Sequence, residues 1–246
     1  RNALLVRGEF SPIYTDFYLH LMQHQIRYQE EQDQQLKDAL AALTLHLASR
    51  PWNEATAWTL NTRNPRQNLF VTGSNRQGNI TGRIFTEDVR DTEKDLFYSQ
   101  VTADGQSARQ SVVEIEEEND IFEIAESYYK QSEQRTGRFF RHDVEDFVFV
   151  TAQPDCDMPW LLSLTDEKIR TIDQEETLSL LETRHYRFDC GCSPARLFPI
   201  VAGMSDSTID EVFDGKEVIA AGCPRCGAKY TLTREALEAF QSQENS

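Results

Sequence analysis

Two pairs of cysteines stand close together near the C-terminus, Cys190-Gly191-Cys192 and Cys223-Pro224-Arg225-Cys226. Thiolates are soft donors, and zinc takes four of them in a closed tetrahedral site. A lone Cys-x-x-Cys says little. Both pairs inside residues 190–226 predict one Zn2+ held by Cys190, Cys192, Cys223 and Cys226. Gly227 follows the second pair directly, where a small residue lets the chain turn back and aim amide N–H groups at the sulfurs. The competing reading is four buried structural cysteines without a metal. A closed four-thiolate site keeps no open position for a substrate, so Lewis-acid catalysis is not expected. A thioredoxin-like redox pair is disfavoured, because Cys223 does not follow the pattern of a strand-to-helix junction in a βαβ unit.

The other candidate ligands are weaker. His185 lies five residues before Cys190 and is an alternative ligand. His20 and His24 stand at i, i+4 and read as a helix-surface pair, while His46 and His142 show no ligand spacing. Cys156 reads as a passive thiol. There is no His-Glu-x-x-His, no phosphate-cradling glycine loop and no nucleophile elbow, so no enzyme is expected.

The elements that must position the cysteines are read from periodicity. Ser11-Pro12 marks a helix start, followed by Ile13, Tyr14, Phe17, Tyr18 and Leu21 at helical spacing. A polar patch spans 29–35. A second helix then carries Leu36, Leu40, Leu43 and Leu47 and stops before Pro51. The period changes over 52–115. Residues 69–72, 80–86, 96–102 and 111–116 read as strands, with Asp104-Gly105 as a hairpin signal. Asp120 and Glu123 form a capping box for a helix carrying Ile121, Ala125, Tyr128 and Ser132, and 147–151 is a further strand. This is an α+β layout: a mostly antiparallel sheet with packed helices over 1–152, a linker with short helices over 153–184 (160–164 and 178–181), and a small zinc-binding module over 185–246. A helix is expected over 206–213 between the cysteine pairs. The acidic run Glu114, Glu116, Glu117, Glu118, Asp120 and Glu123 reads as a solvated strand end and helix N-terminus.

Large apolar residues are few in the last block, chiefly Leu197, Phe198, Ile200, Val212, Phe213 and Tyr230. Zinc binding is therefore expected to contribute roughly 10–16 kcal/mol to its folding. Oxidising the thiolates would remove the metal and unfold the block, which is the chemistry of a redox switch.

Composition sets the wider bounds. The 246 residues carry a net charge of −16 and 39% hydrophobic residues. That charge repels nucleic acid and anionic membranes, and the last block lacks the clustered Lys and Arg a phosphate backbone needs. No apolar run is long enough for a membrane span, and no basic region followed by an apolar run suggests a signal peptide. Five cysteines, an odd number in two tight pairs plus one, point to a reducing compartment and a cytoplasmic protein.

Three stretches resemble the 33 kDa heat-shock protein family. They are Val6-Arg7-Gly8-Glu9; Tyr128-Tyr129-Lys130-Gln131-Ser132-Glu133-Gln134 followed by Arg138 and Phe139; and the two cysteine motifs in their settings, Phe188 to Ser193 and Cys223 to Tyr230. The resemblance implies a redox-regulated, ATP-independent holdase chaperone of the bacterial cytoplasm. Zinc-bound thiolates would keep the C-terminal module folded. Oxidation would form disulfides Cys190–Cys192 and Cys223–Cys226, release zinc and unfold module and linker. The protein would then bind unfolding client proteins as a homodimer. On this reading Trp160, Leu161, Leu162, Ile169, Leu178, Leu180 and Leu181 are the candidate client-contacting positions. Two alternatives share the fold: a divergent, constitutively active chaperone, and a zinc-binding interaction or assembly protein that is not a chaperone.

Overall fold

The computed structural model describes residues 1–116, 120–203 and 213–244. The chain divides into two compact units, residues 1–18 with 28–189 and residues 19–27 with 190–246.

The first unit is organised around one helix. Helix α1 (Ser11–Gln23) begins at the expected Ser-Pro pair, and its early residues Ile13, Tyr14 and Phe17 are buried. Helix α2 (Glu30–Ala48) starts inside the polar patch, earlier than its leucine stripe suggests. The reason is local. Gln29 caps the helix reciprocally with Gln32, and Glu30, Glu31 and Asp33 place negative charge at the positive end of the helix dipole. Leu36, Leu40, Leu43 and Leu47 are wholly buried, as the stripe requires.

Two sheets cover α2. Strands β1 (Ala3–Glu9), β7 (Gly137–Asp143) and β8 (Asp146–Ala152) form an antiparallel sheet in the order β1-β8-β7. A second sheet runs β6-β5-β2-β3-β4-β9, from β2 (Glu54–Arg63), β3 (Arg66–Ser74), β4 (Asn79–Phe85), β5 (Leu96–Ala103), β6 (Arg109–Glu114) and β9 (Arg187–Phe188). Helix α2 touches β1 and β8 of the first sheet and β2, β3 and β4 of the second. Strand β2 alternates buried and half-buried residues, so Thr56, Trp58 and Leu60 point into the core. Periodicity did not single out β1, β2 or β7.

Helix α3 (Ile121–Gln131) begins at the expected capping box, with the Glu123 amide donating to Asp120 and the Asp120 amide to Glu123. Its buried face joins a polar node. Tyr128 accepts from Ser99 and donates to Glu133, and His46 Nδ1 lies 2.6 Å from the Tyr129 hydroxyl. Burial first, then the cations of Arg50 and Arg135, pushes the His46 imidazole well below its ordinary range.

After β8 come three short helices, α4 (Met158–Leu162), α5 (Asp166–Arg170) and α6 (Ile172–Glu175). Asp157 and Thr165 cap the first two. Leu161, Leu164, Ile169 and Ile172 pack with Phe140, Val148 and Val150 of the three-stranded sheet. The helix expected over 178–181 is not formed; residues 177–186 have no regular secondary structure. Leu180 and Leu181 there are 87% and 77% exposed, so this stretch has no buried face to stabilise a helix. The chain is then tied down again. Arg184 donates to the carbonyls of Leu47 and Arg50 at the end of α2, and Tyr186 donates to the buried Asn75. Strand β9, parallel to β4, ends two residues before Cys190.

Candidate metal centre

The second unit contains the last residues of α1, then α7 (Pro194–Gly203), a hairpin of β10 (Val218–Gly222) and β11 (Lys229–Thr233), and α8 (Arg234–Glu244). The expected helix over 206–213 and Val212 lie outside the described residues but for Phe213, which is buried; Glu117 and Glu118 of the acidic run also lie outside them. Among the described residues of this unit, Phe198, Phe213, Leu232 and Leu237 make one small buried cluster, with Ile219, Ala221, Tyr230, Ala236 and Phe240 packed against it.

The second cysteine pair sits in the β10–β11 turn. The Cys223 amide donates to the Ala228 carbonyl at 2.8 Å, and the Gly227 amide to the Cys223 carbonyl at 2.9 Å. Gly227 has φ +74°, a left-handed conformation that favours glycine, and Gly191 between the first pair has φ +63°. Arg196 of α7 donates to the Gly191 carbonyl and fixes that turn. The two turns bring all four sulfurs within 4.8 Å of one another. Cys190 Sγ lies 3.7 Å from Cys223 Sγ, and Cys192 Sγ 3.5 Å from Cys226 Sγ. A tetrahedron with Zn–S bonds of about 2.3 Å has edges of about 3.8 Å. Among the described residues, these four are the sole group of three or more metal-ligating side chains placed to share one ion.

The electrostatics of the cluster suit a cation. Hydrogen bonds from the Cys190 and Cys226 thiols, then from the Arg225 and Cys226 amides, push the Cys223 thiol far down. Sharing with Cys223 pushes Cys190 up to about 12, and Cys190 and Cys223 together push Cys226 far up. Cys190 and Cys226 thus resist carrying negative charge beside the Cys223 thiolate. A soft divalent ion removes that resistance and draws all four as thiolates. Cys190, Cys223 and Cys226 are buried, and Cys192 is half-buried.

Three residues at the centre were not foreseen as its partners. His20 and His24 are not a free surface pair. His20 Nε2 lies 3.0 Å from the Cys226 carbonyl, His24 Nδ1 3.3 Å from the Lys229 amide, and the two rings are 4.8 Å apart. Burial lowers the His20 imidazole, consistent with a neutral ring donating from Nε2. Tyr230, read from the sequence only as apolar filling, places its hydroxyl 3.2 Å from Cys192 Sγ. More than 200 positions separate the histidines from the cysteine turn, and no local spacing rule reaches that far. His185 belongs to the first unit and is not part of the sulfur cluster. Cys156 is a free, half-buried thiol against the Leu161 cluster.

The candidate client positions divide. Leu161 and Ile169 are buried, Trp160 packs at the edge of their cluster, and Leu162, Leu178, Leu180 and Leu181 are exposed.

Comparison with known proteins finds likeness over the stretch that holds this centre. A model of the Hsp33 protein family matches residues 150–233, the stretch from β8 through α4–α6 and both cysteine pairs to β11. A 33 kDa chaperonin of Mannheimia succiniciproducens is 27% identical over 144 residues, covering 48% of this chain and 49% of the relative. One from Caldanaerobacter subterraneus is 33% identical over 75 residues, covering 30% and 26%. Over residues 150–233 the chain is similar to the Hsp33 family. The curated Hsp33 relatives are matched over about half of their length or less. The crystal structure of the 33 kDa chaperonin of Thermotoga maritima aligns with a TM-score of 0.74 over 99% of this chain and 95% of its own, at 11% identity. That likeness extends the α+β Hsp33 fold to the whole chain. Among the described residues no helix is long and apolar enough to cross a membrane.

Proposed function

We propose that this protein is an ATP-independent holdase chaperone of the cytoplasm, switched by oxidation of a zinc–thiolate centre. The observation that carries the reading is the convergence of Cys190, Cys192, Cys223 and Cys226 in a unit whose described residues form only a small apolar cluster besides. These sulfurs would hold one zinc ion, which supplies the cross-link that keeps the module folded. Oxidation within Cys190/Cys192 and Cys223/Cys226 would remove two thiolates at a time and release the metal. The helices α4–α6 give the switch something to uncover: Leu161 and Ile169 are buried in the resting fold and would join Trp160 and the exposed leucines as client-contacting surface. The partners are unfolding polypeptides, and the active form is a homodimer. The net charge of −16 argues against nucleic acid, and the protein acts by binding rather than by catalysis.

A second reading has its own support. Leu162, Leu180 and Leu181 are 60%, 87% and 77% exposed without any unfolding, which favours a chaperone active in the reduced state. One experiment separates the two. Aggregation of an unfolding client is followed with reduced and with peroxide-treated, mildly heated protein, while released zinc is quantified. Protection only after release of one zinc per chain supports the switch, and protection by the reduced form supports constitutive activity. Zinc release without protection points to an interaction or assembly protein. Purified reduced protein without stoichiometric metal ends the reading.

A further inference from the structure

Strand β6 ends the six-stranded sheet, with β5 as its one neighbour. It is held from the inside. All six of its residues pair with β5 without a register shift, and Ser132, just after α3, donates to the Ser111 hydroxyl at 2.7 Å. One bond fixes the direction of its backbone groups. The Ile115 amide donates to the Asp95 carbonyl, one step beyond the Glu114–Leu96 pair. Hydrogen bonding alternates along an antiparallel ladder. Arg109, Ser111 and Val113 therefore face β5, while Gln110, Val112 and Glu114 turn their amides and carbonyls outward. Among the described residues nothing bonds to these outward groups. Two other sheet edges are closed by side chains. On β7 the Phe139 and Arg141 amides donate to the Glu126 and Asp166 carboxylates, and on β4 the Ile84 amide donates to the Tyr28 hydroxyl. Strand β6 carries no Pro, Lys or bulge that would turn a pairing strand away.

The strand is complementary to itself. A two-fold axis between antiparallel strands keeps each sheet face on its own side, and outward groups must meet outward groups. The register that uses all three outward residues sets Val112 opposite the partner's Val112 and Gln110 opposite the partner's Glu114. Val112 is 53% exposed, and this pairing would cover it. Charge agrees with the same arrangement. Arg109 opens the strand and Glu114 closes it, both mostly exposed. An antiparallel copy lays the cationic end of one strand along the acidic end of the other, whereas a parallel copy sets like charges together.

We propose that the β6 edge is an interaction surface for a second copy of this chain, joining two six-stranded sheets into one continuous sheet about Val112. This rests on the homodimer of the proposed function and names a surface for it; it does not involve the cysteines. A six-residue edge buries less than the roughly 1,000 Å2 of a stable interface, so the pairing is weak and reversible.

The test uses the full-length protein, reduced and after peroxide treatment, over a concentration series. Sedimentation gives the oligomeric state, and residue-resolved hydrogen exchange gives the protection of each amide. Exchange at Gln110, Val112 and Glu114 should slow about tenfold where the dimer is about nine-tenths populated, because exchange then waits on the free fraction. The Arg109, Ser111 and Val113 amides, bonded to β5 in both states, should not change with concentration. Val112→Pro removes the central outward amide. The monomer should keep its fold, since an edge strand tolerates proline where the amide faces solvent, and the dimer should be lost at concentrations where the wild type is mostly dimeric. Val112→Lys sets two like charges on the axis and should have the same effect. Should Val112→Pro fail to fold, Val112→Lys and the wild-type exchange pattern decide. A dimer whose Gln110, Val112 and Glu114 amides exchange as in the monomer, or one that survives Val112→Lys, overturns this inference alone. Protection of these amides by an added unfolding client, but not by concentration, gives the edge to client segments and overturns the second copy. A wild type that is monomeric in both redox states ends the homodimer of the proposed function and this inference with it.

Discussion

The two units of this chain reach order by different physics. In residues 1–18 and 28–189, α2 lies between two sheets, and its leucines are removed from water completely. Burial of apolar surface at about 25 cal/mol per Å2 is the main stabilising term there. Among the described residues of 19–27 and 190–246, one cluster of four buried apolar residues accompanies a cluster of Cys190, Cys223, Cys226 and Ala228. A small unit with so little core needs a cross-link, and under the proposed function the sulfur cluster would supply it once it holds zinc. The first kind of order is spread over dozens of side chains and responds gradually to change. Under the proposed function the second would depend on one coordination event and would be lost at once.

The sharpest way to break this contrast is to remove the metal. A strong chelator, or Cys223→Ser, should cost the second unit roughly 10–16 kcal/mol of folding free energy, with loss of its amide protection in hydrogen exchange. All three tryptophans, Trp52, Trp58 and Trp160, lie in the first unit, so their fluorescence should hardly change. If it collapses in step with zinc loss, the two kinds of order are not separate. The reverse experiment is Leu43→Ala in α2. It should destabilise the first unit by about 2–5 kcal/mol in denaturant melts while leaving zinc content at one per chain.

A smaller effect comes from His46, buried with Nδ1 against Tyr129 and, among the described residues, with no hydrogen-bond partner at Nε2. Above pH of about 6.5 both folded and unfolded chains keep this ring neutral. Below it the unfolded chain takes up a proton that the folded core refuses, so stability falls as pH falls, by at most about 1.4 kcal/mol per pH unit until the folded ring titrates. Tryptophan-detected melts from pH 7.5 to 5.5 should show this slope, and His46→Gln should flatten it. The smallest effect expected is at the α3 cap. Asp120→Ala removes an exposed capping oxygen and should lower first-unit stability by about 1 kcal/mol without changing the pH slope or the zinc. Inversion of this order, with the cap outweighing Leu43, would remove the claim that core burial dominates the first unit.

How much could be read without coordinates varies by element. The α1 start, the leucine stripe of α2, the α3 capping box and the strands from Leu69 to Glu114 were legible because each carries its signal within a few residues. Strand β2 was not, because Thr56, Trp58 and Leu60 alternate with residues that are themselves half-buried, so the contrast between faces is weak. The start of α2 was missed because a capping box built from Gln29 and Gln32 looks like a polar linker. The helix expected over 178–181 failed for the opposite reason: leucines were present but no surface exists for them to bury against. His20 and His24 looked like a surface pair because the contacts that define them come from residues more than 200 positions away.

The sequence by itself determined that four cysteines in two tight turns form one set, because a turn of two or three bonds fixes each pair locally and zinc chemistry recognises the spacing. Only the tertiary structure decided which sulfur is half-open, which hydroxyl lies against it, and that the end of the first helix closes over the second turn. Those are properties of distance and exposure. They arise when strand register, a left-handed glycine at 227 and an N-terminal helix are brought to one place, and no stretch of chain carries them alone.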